Sequence, residues 1–258
     1  MKSRFVLSLL SLTLACVAAC VESIPPDTLF SPSPQVTPQV SPPEAPQAPK
    51  AAFLQGFSPI PDSEYTSVGC LLTEQREIIG SAVLVGKKHI LTAGHCFDGT
   101  EAYWFKTNGK EYRICKQTFH PLFKLGEKIL YDLAIGELET DCLETPACLS
   151  DVTVFYFSGK PLTAVGYGGG IRKKSDYGTI WYYGTLEESP KYFKMLPTHG
   201  TIWFGDSGGA IFGSDGQLLG IISSLSGRQG IIYENSAIRV DRFLGWINLV
   251  VEEDSSES

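Results

Sequence analysis

The stretch Gly205-Asp206-Ser207-Gly208-Gly209, which runs directly into the apolar Ala210-Ile211-Phe212, carries most of the information about this chain. Three glycines around one serine predict a tight turn in which little side-chain bulk separates the backbone from a ligand. In such a turn Ser207 can act as a nucleophile, and the N–H groups of Gly205 and Ser207 can point at one oxyanion. A glycine-rich turn without a function is the alternative, but the complete pentapeptide followed by an apolar strand favours catalysis.

A serine nucleophile requires a nearby base, and histidine is the side chain that most often supplies one. The chain contains four histidines. Only His95 directly follows an apolar strand, within the segment Thr92-Ala93-Gly94-His95-Cys96. Because a lone histidine is often structural, this context alone leaves both interpretations open.

The composition predicts a globular, all-β protein. The chain has 258 residues, of which 43% are hydrophobic and 19% are charged, so it can bury a sizeable core. Short apolar runs broken by glycine predict strands at residues 80–85, 89–92, 153–157 and 162–166, among others. Their spacing is typical of barrels or sandwiches without choosing between them. The clearest helix lies near the end of the chain, where Val240, Phe243, Leu244 and Ile247 share one face.

The charge balance bears on possible partners. The net charge is -7 and the isoelectric point is about 5.2, which disfavours a nucleic-acid partner because phosphate binding needs clustered Lys and Arg. The basic run Arg172-Lys173-Lys174 is interpreted as a solvated loop.

The amino terminus, residues 1–20, has the three-part pattern of a secretory signal. Lys2 and Arg4 precede an almost wholly apolar run that is too short to span a bilayer comfortably. The end of this run, Val17-Ala18-Ala19-Cys20, resembles the bacterial lipobox, which implies cleavage before Cys20 and a lipid on its thiol. An ordinary cleaved signal with incidental cysteines is the alternative. The resemblance implies an exported lipoprotein of the outer membrane, facing the periplasm or the cell surface.

Residues 21–62 are predicted to form an extended, solvated tether. Eleven of the sixteen prolines lie there, and proline lacks the N–H that helices and strands require. Residues 63–251 are predicted to form the folded domain. Residues 252–258 are predicted to form an acidic, serine-rich tail.

Six motifs, in order, resemble the trypsin/chymotrypsin family of serine proteases over about residues 68–251. They are Thr92-Ala93-Gly94-His95-Cys96, Phe119-His120-Pro121 leading to Tyr131-Asp132-Leu133-Ala134-Ile135, Val165-Gly166-Tyr167-Gly168, Gly205-Asp206-Ser207-Gly208-Gly209, Gly220-Ile221-Ile222-Ser223, and Arg239-Val240 with Phe243, Trp246 and Ile247. The resemblance implies two packed six-stranded antiparallel β-barrels with a short carboxy-terminal helix. It also implies a secreted serine endopeptidase, a monomer that acts on protein or peptide substrates and needs neither a cofactor nor a metal.

The resemblance assigns the catalytic roles. Ser207 is the nucleophile, His95 is the general base, and Asp132 orients His95. Gly205 and Ser207 supply the oxyanion hole. A catalytically silent homologue that serves as a binding or adhesion module is the alternative function.

The resemblance also assigns the substrate pocket. Ser223 borders the substrate, Thr201 lies at the base of the primary pocket, and Leu225 narrows the pocket entrance. Because Thr201 is neutral, we expect cleavage after a small or medium uncharged residue rather than after Lys or Arg.

Two departures from the family concern cysteines and activation. The family cysteine that bridges to Cys96 is missing, with Ile78 near its expected place, whereas Cys142 and Cys148 suggest a local disulfide. Cys70 is the nearest substitute for that missing cysteine, and one of the five cysteines, which include Cys115, must stay free or pair elsewhere. No Arg-Ile-Val-Gly-Gly segment precedes the domain, so we expect donors inside the fold, rather than a new amino terminus, to satisfy the carboxylate of Asp206.

Overall fold

The computed structural model of the chain describes residues 58–97, 104–124, 131–170, 173–181, 191–197, 202–228 and 231–256. Only the backbone is described for 173–181, 196–197, 224–228, 231–234 and 253–256. The chain divides into two compact units, Met1–Pro46 and Gln47–Ser258, and the described residues all belong to the second. The predicted signal segment with Cys20 and most of the predicted tether therefore lie outside the described residues.

Six antiparallel strands form a closed barrel in the first half of the domain. In barrel order these are β2 (Val68–Leu72), β3 (Ile78–Leu84), β4 (His89–Thr92), β7 (Ala134–Leu138), β6 (Lys110–Phe119) and β5 (Trp104–Thr107). A tight turn joins β3 to β4, where the Val85 N–H donates to the His89 carbonyl over 2.8 Å. The predicted first barrel is confirmed.

The second half forms a seven-stranded antiparallel sheet. In sheet order its strands are β1 (Ser58–Pro59), β9 (Lys173–Trp181), β10 (Tyr192–Pro197), β13 (Ile231–Arg239), β12 (Leu218–Arg228), β11 (Ala210–Phe212) and β8 (Leu162–Gly166). Strand β8 also pairs with β9, so six of the seven strands follow one another in a ring. The two-residue strand β1 is the addition to the predicted six, and it lies within the segment that the sequence assigned to the tether.

The strand predicted at residues 153–157 is wrong, because Val154–Phe157 forms a 3₁₀ helix. Its backbone closes i to i+3 bonds, as from the Tyr156 N–H to the Thr153 carbonyl over 2.9 Å. Val154 and Phe157 are buried, whereas the Phe155 and Tyr156 between them are exposed. Burial therefore recurs every third residue, which suits a 3₁₀ turn and not a strand.

The predicted carboxy-terminal helix is confirmed as α1 (Leu244–Ser256). Phe243 and Ile247 pack into the same hydrophobic cluster as the first barrel. The ring of His120 contacts Phe243 and Trp246 edge-on, with ring centroids 5.1 Å apart in each pair. The helix continues to Ser256, so most of the predicted acidic tail is helical.

Candidate active site

His95 lies in a short 3₁₀ turn, Gly94–Cys96, that begins just after the end of β4. Position 94 has no room for a side chain. A Cβ on Gly94 would lie 2.7 Å from the ring of Phe123 and 3.2 Å from the backbone nitrogen of Leu133. The turn therefore brings His95 close to the segment that contains Asp132, just before β7.

Asp132 is fully buried and accepts three hydrogen bonds. Its Oδ1 accepts from the backbone N–H of His95 over 2.7 Å, and its Oδ2 lies 2.7 Å from His95 Nδ1. The hydroxyl of Ser223 donates to the same Oδ2 over 2.6 Å. These contacts fix the orientation of the imidazole and favour the tautomer that leaves Nε2 free to accept a proton.

Ser223 reaches Asp132 because β12 is irregular at that point. The pairing of β12 with β13 shifts register between Ile222 and Ser224, so Ser223 is the extra residue of a bulge. A bulge re-aims one side chain away from the regular alternation of the strand. The sequence assigned Ser223 to the substrate border, and the structure adds the contact with the carboxylate.

The pKa of His95 is raised above 6.5. Burial of the ring by itself lowers this pKa. The hydrogen bond to Asp132 and the neighbouring sulfur of Cys96 raise it and outweigh burial. The Cys96 Sγ lies 3.9 Å from His95 Nε2. The imidazole is therefore a stronger base than an isolated histidine.

Ser207 lies in the turn that precedes β11, beside His95 and Ser223 in the lining of one pocket of about 730 Å³. Its hydroxyl donates to the Ser223 carbonyl over 3.3 Å. The backbone of the turn is anchored from both sides: the Ser81 N–H donates to the Ser207 carbonyl, and the Gly208 N–H donates to the Ile222 carbonyl. The turn thus joins β3 of the barrel to β12 of the sheet.

Gly205 and Gly208 have φ angles of 94° and 83°, which an L side chain rarely adopts. A Cβ on Gly208 would also meet the Ser81 carbonyl oxygen at 2.0 Å. The Gly208 and Gly209 N–H groups donate within the fold. Among the described residues, the N–H groups of Gly205 and Ser207 have no protein acceptor, and both residues line the pocket. These two N–H groups are therefore the candidate donors to an oxyanion.

Asp206 points away from the pocket and is buried. Its Oδ1 accepts from the Gly168 N–H over 2.6 Å, and its Oδ2 accepts from the Trp203 N–H over 2.8 Å. A Cβ on Gly168 would lie 2.3 Å from that carboxylate, which explains the glycine. Backbone donors inside the fold therefore contact both oxygens of Asp206.

The residues predicted to shape the primary pocket are described only in part. Thr201 lies outside the described residues. Leu225 lies in β12, where its backbone pairs with Asn235, and its side chain lies outside the described part. The sequence missed Ile202, which is 2% exposed and lines the pocket, and also the half-buried Trp203 and the exposed Phe204, which line the same pocket. Ile202 directly follows Thr201, which the sequence assigned to the base of the pocket, and this adjacency could have identified Ile202 as a pocket residue.

The predicted Cys142–Cys148 disulfide is wrong, because both residues are free thiols. Cys142 is buried in the core beside the first barrel, whereas Cys148 is exposed. The position facing the Cys96 sulfur is Gly80 rather than Ile78. A Cβ on Gly80 would lie 2.9 Å from the Cys96 Sγ.

No helix among the described residues is long and apolar enough to cross a membrane. In the same part of the chain, no cluster of three or more His, Cys, Asp or Glu side chains could hold a metal ion.

Comparisons with known proteins agree with this geometry. The family model described as Trypsin matches residues 55–247. A probable periplasmic serine endoprotease, DegP-like, from Marinomonas sp. (strain MWYL1) is 26% identical over 157 residues, which are 60% of this chain and 32% of that protein. The chain thus spans about a third of that relative's length.

Solved structures share the fold. The VesB protease of Vibrio cholerae has a TM-score of 0.64 and 22% identity, covering 75% of this chain and 66% of that one. Neuropsin, a serine protease expressed in the limbic system of mouse brain, has a TM-score of 0.63 and 20% identity, covering 74% and 96%. Human heparin binding protein has a TM-score of 0.64 and 17% identity, covering 76% and 96%. At these identities the likeness concerns the fold alone.

Proposed function

This chain belongs to the trypsin family and is a serine protease, and from that premise we propose that it cleaves peptide bonds with Ser207, His95 and Asp132. The observation that carries the proposal is the convergence of these three residues, from three distant segments, on one arrangement. Asp132 is bonded to His95, and His95 and Ser207 line the same pocket.

Hydrolysis proceeds in two steps. The Ser207 hydroxyl turns from the Ser223 carbonyl to His95 Nε2, which takes its proton as Oγ attacks the scissile carbonyl. The N–H groups of Gly205 and Ser207 stabilise the oxyanion, and such a donor contributes about 3 kcal/mol in comparable sites. Nε2 then protonates the leaving amine. Water, deprotonated by His95, then attacks the acyl carbonyl. The ester bond to Ser207 Oγ breaks, His95 returns the proton to that oxygen, and the acid product leaves while Asp132 keeps His95 oriented.

The test is turnover of a peptide library by wild-type protein and by Ser207→Ala. We expect wild-type protein to cleave peptides and Ser207→Ala to lose turnover while it keeps the same thermal unfolding curve. A serine-directed organophosphonate should label Ser207. Labelling at another serine, or full activity in Ser207→Ala, contradicts the assignment. A wild-type protein without any turnover favours the silent homologue.

The same library tests the proposed preference for an uncharged residue before the cut. Ile202 supports it, because a buried aliphatic side chain in the pocket wall offers no partner to Lys or Arg. We expect small or medium apolar residues to be selected. Strong selection of Arg or Lys would overturn the preference.

The lipid anchor on Cys20 is proposed from the Val17-Ala18-Ala19-Cys20 segment, and export from it and from the periplasmic name of the relative. The tether would then hold the protease clear of an outer membrane. Cys20→Ala should release the protein from membranes or block its processing. Wild-type protein that begins at Cys20 and carries no lipid by mass spectrometry would refute the anchor.

A further inference from the structure

The hydroxyl of Ser81 joins three segments of the domain. Ser81 lies in β3 and is fully buried. Its Oγ donates to the Gly205 carbonyl over 2.7 Å and accepts from the Tyr167 N–H over 2.9 Å. Its backbone N–H donates to the Ser207 carbonyl over 2.8 Å. A single residue of the barrel therefore contacts both members of the proposed oxyanion hole.

The bond from Ser81 to the Gly205 carbonyl adds to the restraints on the backbone of Gly205. Because a peptide unit is planar and trans, the Gly205 N–H points opposite to the Phe204 carbonyl. The Gly169 N–H holds that carbonyl over 3.1 Å. The Gly205 carbonyl belongs to the next peptide plane, and Ser81 holds it. The two planes on either side of Gly205 are thus both fixed.

This double restraint matters because glycine has the widest choice of backbone angles. Gly205 has a φ of 94°, and a rotation about either of its backbone bonds would change the direction of its N–H relative to the rest of the turn. Without the Ser81 hydroxyl, the Gly205 carbonyl and the Tyr167 N–H would each lose a partner. The second peptide plane would then keep the bond from the Asp206 N–H to the Trp203 carbonyl over 2.9 Å but lose the restraint on its carbonyl end.

We propose that Ser81 is a positioning residue that aims the Gly205 N–H at the oxyanion. The inference rests on the proposed roles of Gly205 and Ser207. Because an oxyanion exists only in the transition state and the tetrahedral intermediate, the contribution of Ser81 falls on kcat and leaves substrate binding unchanged.

The experiment compares Ser81→Ala with Thr107→Val. Thr107 is also a fully buried strand hydroxyl of the first barrel, and it donates to the Thr66 carbonyl over 2.6 Å, away from the pocket. We expect Ser81→Ala to lower kcat about 10- to 100-fold, less than the roughly 10²–10³-fold lost with a donor itself, with KM within twofold. A peptide boronate, which forms a tetrahedral adduct, should lose affinity in parallel. Thr107→Val should lower the melting temperature and leave kcat unchanged.

The outcomes separate this inference from the proposed function. Ser207→Ala, run in the same assay, tests the catalytic serine. If Ser207→Ala is inactive and Ser81→Ala keeps wild-type kcat and boronate affinity, the role of Ser81 is wrong. Equal losses of kcat in Ser81→Ala and Thr107→Val would also overturn it, because they would reflect general destabilisation. If Ser81→Ala does not fold, Ser81→Thr, which keeps the hydroxyl, should retain kcat per titrated active site, and a tenfold loss would contradict the role.

Discussion

The base side of the proposed site and its nucleophile side are held by different kinds of contact. On the base side, the Asp132 carboxylate takes three hydrogen bonds of 2.6–2.7 Å, two of them from side chains. On the nucleophile side, the turn from Gly205 to Gly209 is held by its backbone groups and by the close approach of other segments to its glycines.

This difference predicts which changes each side tolerates. The base side depends on the charge and hydrogen-bonding capacity of a few side-chain atoms, so an isosteric substitution that alters one atom is enough to disable it. The nucleophile side depends on backbone angles and on the absence of side chains, so the addition of a single methyl group is the damaging change.

The largest effect is expected from Asp132→Asn. This change keeps the volume but replaces one acceptor with an amide donor, which favours the wrong tautomer of His95, and it should lower kcat about 10⁴-fold. Ser223→Ala is the matched variant on the same carboxylate, because it removes only the 2.6 Å bond to Oδ2. That variant should lose about tenfold or less, the order of a single net hydrogen bond. The measurement is kcat per active site, with the active sites counted by titration. Equal losses of kcat in the two variants would contradict this division of roles.

The next effect concerns the nucleophile side. Gly208→Ala would place a methyl group 2.0 Å from the Ser81 carbonyl oxygen at a φ of 83°. We expect the turn to shift and kcat to fall about 10²–10³-fold, as when an oxyanion donor is lost. Gly216→Ala is the control, because Gly216 has a φ of 79° and nothing within 4 Å of a built Cβ. It should cost about 1–2 kcal/mol of stability through backbone strain alone and leave kcat unchanged. Comparable activity in the two variants would show that crowding of the turn is unimportant.

The contrast also explains what the sequence could predict. Short motifs identified the fold and selected His95, Asp132 and Ser207 as candidates, because such chemistry requires particular residue types in particular local contexts. Apolar runs such as residues 80–85 predicted strands of the first barrel, whereas the barrel itself was predicted from the family resemblance. The same reasoning assigned residues 153–157 to a strand, because an apolar run alone does not reveal that only Val154 and Phe157 face the core.

Contacts between distant segments could not be predicted. The role of Ser81 depends on a hydroxyl meeting a carbonyl 124 positions later, and no local pattern signals such a meeting. The Cys142–Cys148 disulfide was inferred from proximity in sequence, but the two side chains differ in burial, one facing the core and the other solvent. Donors to Asp206 were expected inside the fold, but which N–H groups supply them depends on the tertiary structure.

A third prediction concerns Gly80 in β3, which faces the sulfur of Cys96 next to His95. The Cys96 thiol donates to the Ser207 carbonyl over 3.5 Å. A Cβ built on Gly80 lies 3.5 Å from the Cys96 Cβ, within the range that disulfides span. Gly80→Cys should therefore form a disulfide that closes a loop of about 15 residues and raises the free energy of unfolding by about 3 kcal/mol. The melting temperature should rise by about 6–12 °C and return to its starting value on reduction. Gly80→Ser is the control, and an unchanged melting temperature in oxidised Gly80→Cys contradicts the geometry.

The smallest expected effect is on the pH dependence of kcat/KM, through the Cys96 sulfur beside His95. His95 must be neutral to accept a proton, and its pKa is raised above 6.5, so kcat/KM should rise with pH and reach half its maximum above 6.5. The Asp132 bond and the Cys96 sulfur both raise this pKa against burial, so Cys96→Ala should move the acid limb to lower pH with little change in the maximal rate. Cys115→Ala, which changes a thiol outside the pocket lining, is the control and should leave the limb in place.

The free energy of unfolding should fall as the pH rises, whereas kcat/KM should increase. A histidine whose pKa is higher in the folded state than in the unfolded chain binds its proton more tightly when folded. Its contribution is therefore fully present below about pH 6.5, the unfolded value, and is lost as the pH rises through the folded pKa. Denaturant unfolding across this window should show a wild-type protein that loses stability as it gains activity, with a smaller loss in Cys96→Ala. If the acid limb of the kcat/KM profile stays in place in Cys96→Ala, Cys96 does not raise the pKa of His95, and the rise is due to Asp132 alone.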